Sequence, residues 1–189
     1  MNAWTHTKCA YCEQVAAKDI EHFYPKSDFP DRMFLWGNLL RGCKNCNNAK
    51  RDRFPLDMAG APLLIDPTAA DPFDFFRWDF LTGQTIVNPL EPQRTRGETT
   101  RSLLDLDQEP LCEERRKKLA LIQYLLARVV HENPVSPETC DRLRDELAPQ
   151  RPWLAIVRQL FTFSGDGRLL FDSARQKLPE INDWVKDWL

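Results

Sequence analysis

Two Cys-x-x-Cys pairs, Cys9/Cys12 and Cys43/Cys46, frame the part of this chain that could do chemistry. A Cys-x-x-Cys turn presents two thiolates on one side of a tight loop, and a second such turn completes a tetrahedral zinc site. Four sulfur ligands leave no open position, so such an ion is structural. The alternative, a redox pair, lacks the βαβ setting that such a motif occupies. Cys112 and Cys140 stand alone and are expected to be small buried apolar side chains or inert thiols.

Between and after the cysteines lie Glu21-His22, Asn47 and Lys50. Hydrolysis of a phosphodiester needs an activated water and stabilisation of charge on the phosphoryl and leaving oxygens. A neutral imidazole takes a proton from water near neutral pH. His22 is the only histidine between residues 9 and 130, and so the candidate base. A hard divalent cation, Mg2+ or Mn2+, supplies the electrostatic part and prefers oxygen ligands. Glu21 offers carboxylate oxygens for it and Asn47 a carbonyl oxygen. Lys50 follows Asn47 by one helical turn, where its ammonium could meet a phosphate. Neighbours on a strand face opposite ways, so Glu21 and His22 share one site only if the strand ends there or the phosphate lies between them.

These residues carry a resemblance. Glu21-His22-x-x-Pro25, then Asn38, then Cys43-x-x-Cys46-Asn47-x-x-Lys50 resembles the HNH (ββα-metal) endonuclease motif with its accessory zinc. The resemblance implies that His22 is the general base, that Asn38 braces the hairpin loop and so orients the base, and that Asn47 holds the last metal-binding position. Glu21 matches a metal-ligand position more often occupied by Asp. A narrower resemblance rests on Ile20-Glu21-His22-Phe23-Tyr24-Pro25-Lys26-Ser27, Trp36-Gly37-Asn38-Leu39-Leu40, Lys50-Arg51-Asp52-Arg53-Phe54-Pro55 and Leu64-Ile65-Asp66-Pro67. It is to the small HNH nuclease subunit of Septu-type anti-phage defence, relatives of which accompany some retrons. It implies an ABC/SMC-type ATPase partner that restrains or licenses the nuclease.

The elements that must position these groups can be outlined. The expected class is α+β: a ββα-metal core with structural zinc over residues 1–58, an extended connection with a β-hairpin and the start of a helical region over 59–112, and a helical C-terminal lobe over 113–189 that would dock the partner. Trp4 to Lys8 leads into the first knuckle. Val15 to Phe23 alternates as a short strand before Pro25, Phe34-Leu35-Trp36 and Leu39-Leu40 flank Gly37-Asn38 as strand and turn, and Asn45 to Arg53 is a polar helix. Arg77 to Leu81 and Gln84 to Val87 flank Thr82-Gly83 as a hairpin. Helical spacing begins near Arg101, and the charged run Glu113 to Lys118 reads as a solvated face. Ser136-Pro137 starts another helix, as do Pro152 and Pro179, with Ser164 to Gly167 as a break. Ile181, Trp184, Val185 and Trp188 form one stripe, a partner surface if the chain leaves it uncovered.

Net charge is -2, which excludes a generally basic nucleic-acid binder. The charge is uneven, with +3 over residues 1–56 and -5 over the remainder, so the small positive excess sits with the chemistry. Apolar runs fall short of the roughly 18 residues a membrane helix requires, and Met1 to His6 has no apolar signal region. A cytoplasmic protein is expected. DNA is the first expectation for the polymer, and RNA, tRNA included, satisfies the same chemistry. The competing functional classes are a stand-alone restriction-type HNH DNase and a non-catalytic zinc-ribbon module that binds nucleic acid.

Overall fold

A computed structural model describes residues 7–15, 17–163 and 165–189; Trp4 to His6, expected to lead into the first knuckle, lie outside them. The fold is α+β, with two separate two-stranded sheets and helices filling most of the second half.

The first sheet pairs β1 (Asp19–His22) with β2 (Leu39–Gly42) antiparallel, Asp19 opposite Gly42 and His22 opposite Leu39. The strand is shorter than the expected Val15 to Phe23, because the chain before it is turned by the first knuckle. Phe34 to Trp36 does not form a strand. The 16 residues joining β1 to β2 coil through two single 3-10 turns, Pro30–Arg32 and Trp36–Asn38. Beneath this loop Phe23, Tyr24, Phe29 and Phe54 pack mostly edge-to-face, with centroids 4.8 to 5.5 Å apart. The Arg32 guanidinium lies 4.0 Å over the Tyr24 ring. Helix α1 (Lys44–Lys50) follows β2 without a connecting loop. Cys43 caps it in extended conformation, its sulfur accepting from Cys46 N at 3.4 Å.

The second sheet is the expected hairpin, β3 (Phe76–Trp78) with β4 (Thr85–Val87). Asp79 closes its turn by accepting from the amides of Leu81 and Thr82. Gly83 has φ of +74°, and a Cβ there would stand 2.3 Å from the Cys112 carbonyl oxygen, so only glycine fits where the turn meets the next helices.

Helix α2 (Gln93–Leu103) starts before the helical pattern expected at Arg101. The long α3 (Glu109–His131) is the spine of the second half, burying Leu111, Leu119, Ile122, Leu125, Leu126 and Val129. Around it lie α4 (Pro137–Leu147), α5 (Leu154–Thr162), α6 (Asp166–Lys177) and α7 (Ile181–Val185). Ser136 caps α4 as its sequence indicates, accepting from Thr139 N. Helix α6 is an addition to the sequence outline: it begins at Asp166, inside the break expected at Ser164 to Gly167, of which Ser164 lies outside the described residues. It packs through Phe171, whose ring stacks on Phe161 at 3.9 Å.

Two surface expectations change. The charged run at the start of α3 is not one solvated face. Glu113 and Lys117 are exposed, but Arg115 is buried, donating to the Gly83 carbonyl at 2.9 Å, and Lys118 is buried against Glu146 at 2.7 Å. A helix enclosed by neighbours buries cationic side chains wherever they find oxygen partners. Of the Ile181, Trp184, Val185 and Trp188 stripe, Ile181, Val185 and Trp188 are core, covered by the chain itself, with Trp188 Nε1 donating to the Leu147 carbonyl at 3.0 Å, and Trp184 is part-buried. The three core residues therefore offer no free partner surface.

The halves are tied by polar contacts as well as by packing. Glu13 in the first knuckle accepts from Ala155 N on α5 at 3.1 Å. Gln159 on α5 grips β3, accepting from Trp78 N and donating to the Trp78 carbonyl, both at 2.8 Å. Gln159→Ala leaves both backbone groups buried and unpaired. It should lower stability by about 2–4 kcal/mol in urea unfolding monitored by tryptophan fluorescence.

Candidate zinc and hydrolytic site

The four cysteines of the two knuckles converge. Their sulfurs all lie within 4.8 Å of one another, every one buried, with Cys12 and Cys43 at 3.7 Å. A tetrahedron with Zn–S bonds of about 2.3 Å has edges of about 3.8 Å, so the cage is sized for zinc. The knuckle at Cys9 is held by Cys9 N to the Gln14 carbonyl and by Ala10 N to the Arg41 carbonyl on β2. The cage thereby joins the chain entry, β2 and the base of α1. Hydrogen bonds from the other three thiols, Cys12 foremost, hold Cys43 far below the usual cysteine range; Cys12 and Cys46 are pushed far above it. Cys9 is lowered as well, chiefly by its hydrogen bond with Cys12. Without a cation the cage thus does not favour four thiolates, and a dication is what would allow them.

The pleat of β1 separates Glu21 from His22. Glu21 faces inward toward α1 and is 3% exposed; His22 is half-buried on the other face, opposite Leu39. The strand ends at His22, and Phe23 N already bonds the Asn38 carbonyl. His22 Nε2 lies 3.1 Å from the Met33 carbonyl oxygen. A carbonyl only accepts, so Nε2 carries the proton and Nδ1 is left with a free lone pair.

Asn38 is buried at the root of the same loop and spends its whole amide on it. Its Oδ1 accepts from Tyr24 N at 2.7 Å, and its Nδ2 donates to the carbonyls of Tyr24 at 3.0 Å and Arg32 at 3.1 Å. Arg32 precedes Met33, so one side chain clamps both arms of the loop next to the carbonyl that receives His22. Phe34, Leu35 and Trp36, one step further along, are exposed.

Lys50 differs most from its sequence expectation. Its ammonium does not reach solvent for a phosphate. It is 1% exposed, 2.6 Å from Glu21 Oε1 and 2.7 Å from the His22 carbonyl, to which it donates. The helix face it shares with Asn47 packs against β1, which turns the lysine inward. Burial nonetheless pushes the Glu21 carboxyl above its ordinary value, against the opposing pull of Lys50.

The Glu21 carboxylate is therefore already partnered on Oε1 by the Lys50 ammonium. The inner face of β1 is closely packed: at Gly42, opposite Asp19, an added Cβ would come within 3.1 Å of Glu21 Cβ and 4.0 Å of Asn47 Cβ, so the glycine lets strand and helix approach. Asn47 turns its Nδ2 toward Asp19 Oδ2 at 3.5 Å. Sequence reasoning did not single out Asp19 or Gly42. The period-two spacing of Asp19 and Glu21 was the available signal for the first, whereas nothing local marks the second.

Cys43→Ser should release zinc, seen by metal analysis, and cost about 3 kcal/mol or more, which is about 6–12 °C in melting temperature at this chain length. Lys50→Met strands Glu21 in a buried setting and should cost about 3–5 kcal/mol. Adding Glu21→Gln to Lys50→Met should restore most of that loss, giving a large coupling energy in a double-mutant cycle of urea unfolding.

No protein-family profile matches the chain, and no solved structure matches it. Among characterised proteins, the chain is similar to the Septu protein PtuB of Bacillus thuringiensis, 30% identical over 109 residues. The match covers 55% of this chain and 38% of that relative, so the chain spans well under half of the protein it resembles.

Proposed function

We propose that this chain is a metal-dependent HNH endonuclease that hydrolyses nucleic-acid phosphodiester bonds, the nuclease part of a Septu-like anti-phage defence system acting with an ABC/SMC-type ATPase. The observation that carries the chemistry is the clamp around His22. Asn38 holds the loop, the loop carbonyl of Met33 accepts the hydrogen bond from Nε2–H, and Nδ1 is left to act as a base. The similarity to PtuB supports the defence setting.

In this mechanism His22 Nδ1 takes the proton of the attacking water as the new P–O bond forms and the P–O3′ bond breaks, the departing 3′ oxygen taking a proton from solvent. Asn38 is a positioning residue, acting through the Arg32–Met33 backbone. Glu21 and Asn47 hold the hard cation, which stabilises charge on the phosphoryl and leaving oxygens when bound. Lys50 favours the ionised form of Glu21 against the effect of burial and pins the end of β1 through the His22 carbonyl. The phosphate lies at the end of β1, where base and cation approach it from the two faces of the strand. The products carry 5′-phosphate and 3′-hydroxyl ends. The mechanism makes no use of a 2′-hydroxyl, so DNA is the first substrate and RNA, tRNA included, the second.

The test is cleavage of DNA and tRNA with Mg2+ or Mn2+, with and without ATP, by the protein purified alone and together with its neighbouring ATPase. His22→Ala should lower the rate by about 10²–10⁴-fold with zinc content unchanged. Equal cutting by His22→Ala would overturn the mechanism. Metal-independent binding of nucleic acid without cleavage under every condition would favour the zinc-ribbon module instead.

A further inference from the structure

The pleat that turns Asp19 and Glu21 inward leaves the other face of the first sheet without a carboxylate. That outer face carries Ile20 and His22 on β1 and, opposite them, Arg41 and Leu39 on β2. None of the four is buried and Ile20 is 68% exposed, so the face that holds the candidate base is open to solvent. Arg41 is its one cation. The guanidinium donates through Nε to the Ala17 carbonyl at 2.9 Å and makes no ion pair among the described residues.

The loop between β1 and β2 adds an aromatic edge to this face. Met33 brings its carbonyl to His22 Nε2, and the next three residues are Phe34, Leu35 and Trp36, 84%, 56% and 66% exposed. Single apolar side chains on a surface are ordinary; three in succession, two of them aromatic, beside a candidate base are not. They are also held in place. Leu35 N bonds the Arg32 carbonyl at 3.1 Å and Asn38 N the Leu35 carbonyl at 2.9 Å, so turns close the segment at both ends and the Asn38 amide clamps its root. The space beside them is open: a Cβ added at Gly37 would meet nothing within 4 Å beyond its chain neighbours. Rings presented on an ordered backbone bind at a low cost in entropy.

Aromatic rings beside a lone cation fit one form of nucleic acid. Base faces are hidden inside a duplex and presented by an unpaired strand, where stacking on a ring contributes without regard to sequence. Duplex binding draws instead on many phosphate contacts, and this sheet face offers one cation in a chain of net charge -2. We propose that Phe34 and Trp36 are base-stacking residues that hold an unpaired nucleic-acid strand across the outer sheet face, with Arg41 on its backbone and His22 beside the reacting phosphate. The proposal rests on the hydrolase reading above and adds to it the form of the substrate: single-stranded or locally unpaired DNA or RNA.

The experiment measures binding of fluorescein-labelled oligo(dT), oligo(rU) and the oligo(dT)–oligo(dA) duplex to the zinc-loaded full chain by fluorescence anisotropy, without added Mg2+ or Mn2+. A single strand should bind more tightly than the duplex. Phe34→Ala and Trp36→Ala should each weaken single-strand binding about tenfold with zinc content and melting temperature unchanged, while Phe34→Tyr and Trp36→Phe keep most of it. Arg41→Gln should weaken it as well and lower its salt dependence by about one phosphate contact. Unchanged single-strand affinity in the Phe34→Ala/Trp36→Ala double variant overturns the proposal, as does preference for the duplex or binding of none of the three probes. If that variant keeps its nucleic-acid affinity and loses association with the neighbouring ATPase, the surface is a protein interface and the proposal is again overturned. Aromatic-dependent single-strand binding by a wild type that cuts nothing with Mg2+ or Mn2+ supports the surface and overturns the hydrolase reading alone; cleavage with aromatic-independent binding overturns the surface alone.

Discussion

Four buried thiols within 4.8 Å of one another are the constraint on which the first half of this protein depends. Neutral thiols at that spacing satisfy each other poorly, and four thiolates repel. A tetrahedral dication would resolve the conflict and in doing so fix three otherwise unrelated pieces of chain: the knuckle before β1, the end of β2 and the first turn of α1. Cys43 shows the economy of the arrangement, since it ends the approach from β2, caps α1 and places its sulfur in the cage. A seven-residue helix and two four-residue strands have too little apolar surface to hold one another. Here the four-cysteine cage and the aromatic cluster of Phe23, Tyr24, Phe29 and Phe54 supply what packing cannot.

Given that frame, strand geometry divides the chemistry. The pleat turns Glu21 toward the helix and His22 away from it, so the acidic and imidazole groups address different sides of one strand end. The inner side is electrostatically crowded, with Asp19, Glu21, Asn47 and Lys50 facing Gly42. The outer side is governed by hydrogen bonding, with Asn38 holding the loop whose carbonyl sets the His22 tautomer. The two sides meet only in the backbone, where Lys50 donates to the carbonyl of the same residue whose ring is the candidate base.

The helical half is coupled to this frame and not simply appended to it. Glu13, four residues after the first zinc cysteine, receives an amide of α5, and the next turn of α5 grips β3 through Gln159. A displacement of α5 therefore reaches the first knuckle through one hydrogen bond and the hairpin through two. Burial of the Ile181–Trp188 stripe inside this half leaves any partner to engage other surfaces.

The sequence by itself determined which residue types the site contains. Two Cys-x-x-Cys pairs mean a sulfur cage whatever surrounds them, because their ligand chemistry is local. The hairpin around Thr82-Gly83 and the cap at Ser136 were legible for the same reason, since turn and capping preferences act over a few residues. Tertiary structure alone decided orientation and environment. Lys50, Arg115 and Lys118 read as solvent-facing cations and are buried, because a side chain's surroundings depend on segments far away in sequence. Helix α6 was obscured because Gly165 and Gly167, read as a break, stand at its start, while the contacts that hold it lie on α3 and α5. Gly42 acquires meaning only when β1, β2 and α1 are brought together, since its close approach to Glu21 and Asn47 is a property of neighbours in space. The residue types thus announced which chemistry was available; packing decided which groups face one another, and so paired Lys50 with Glu21.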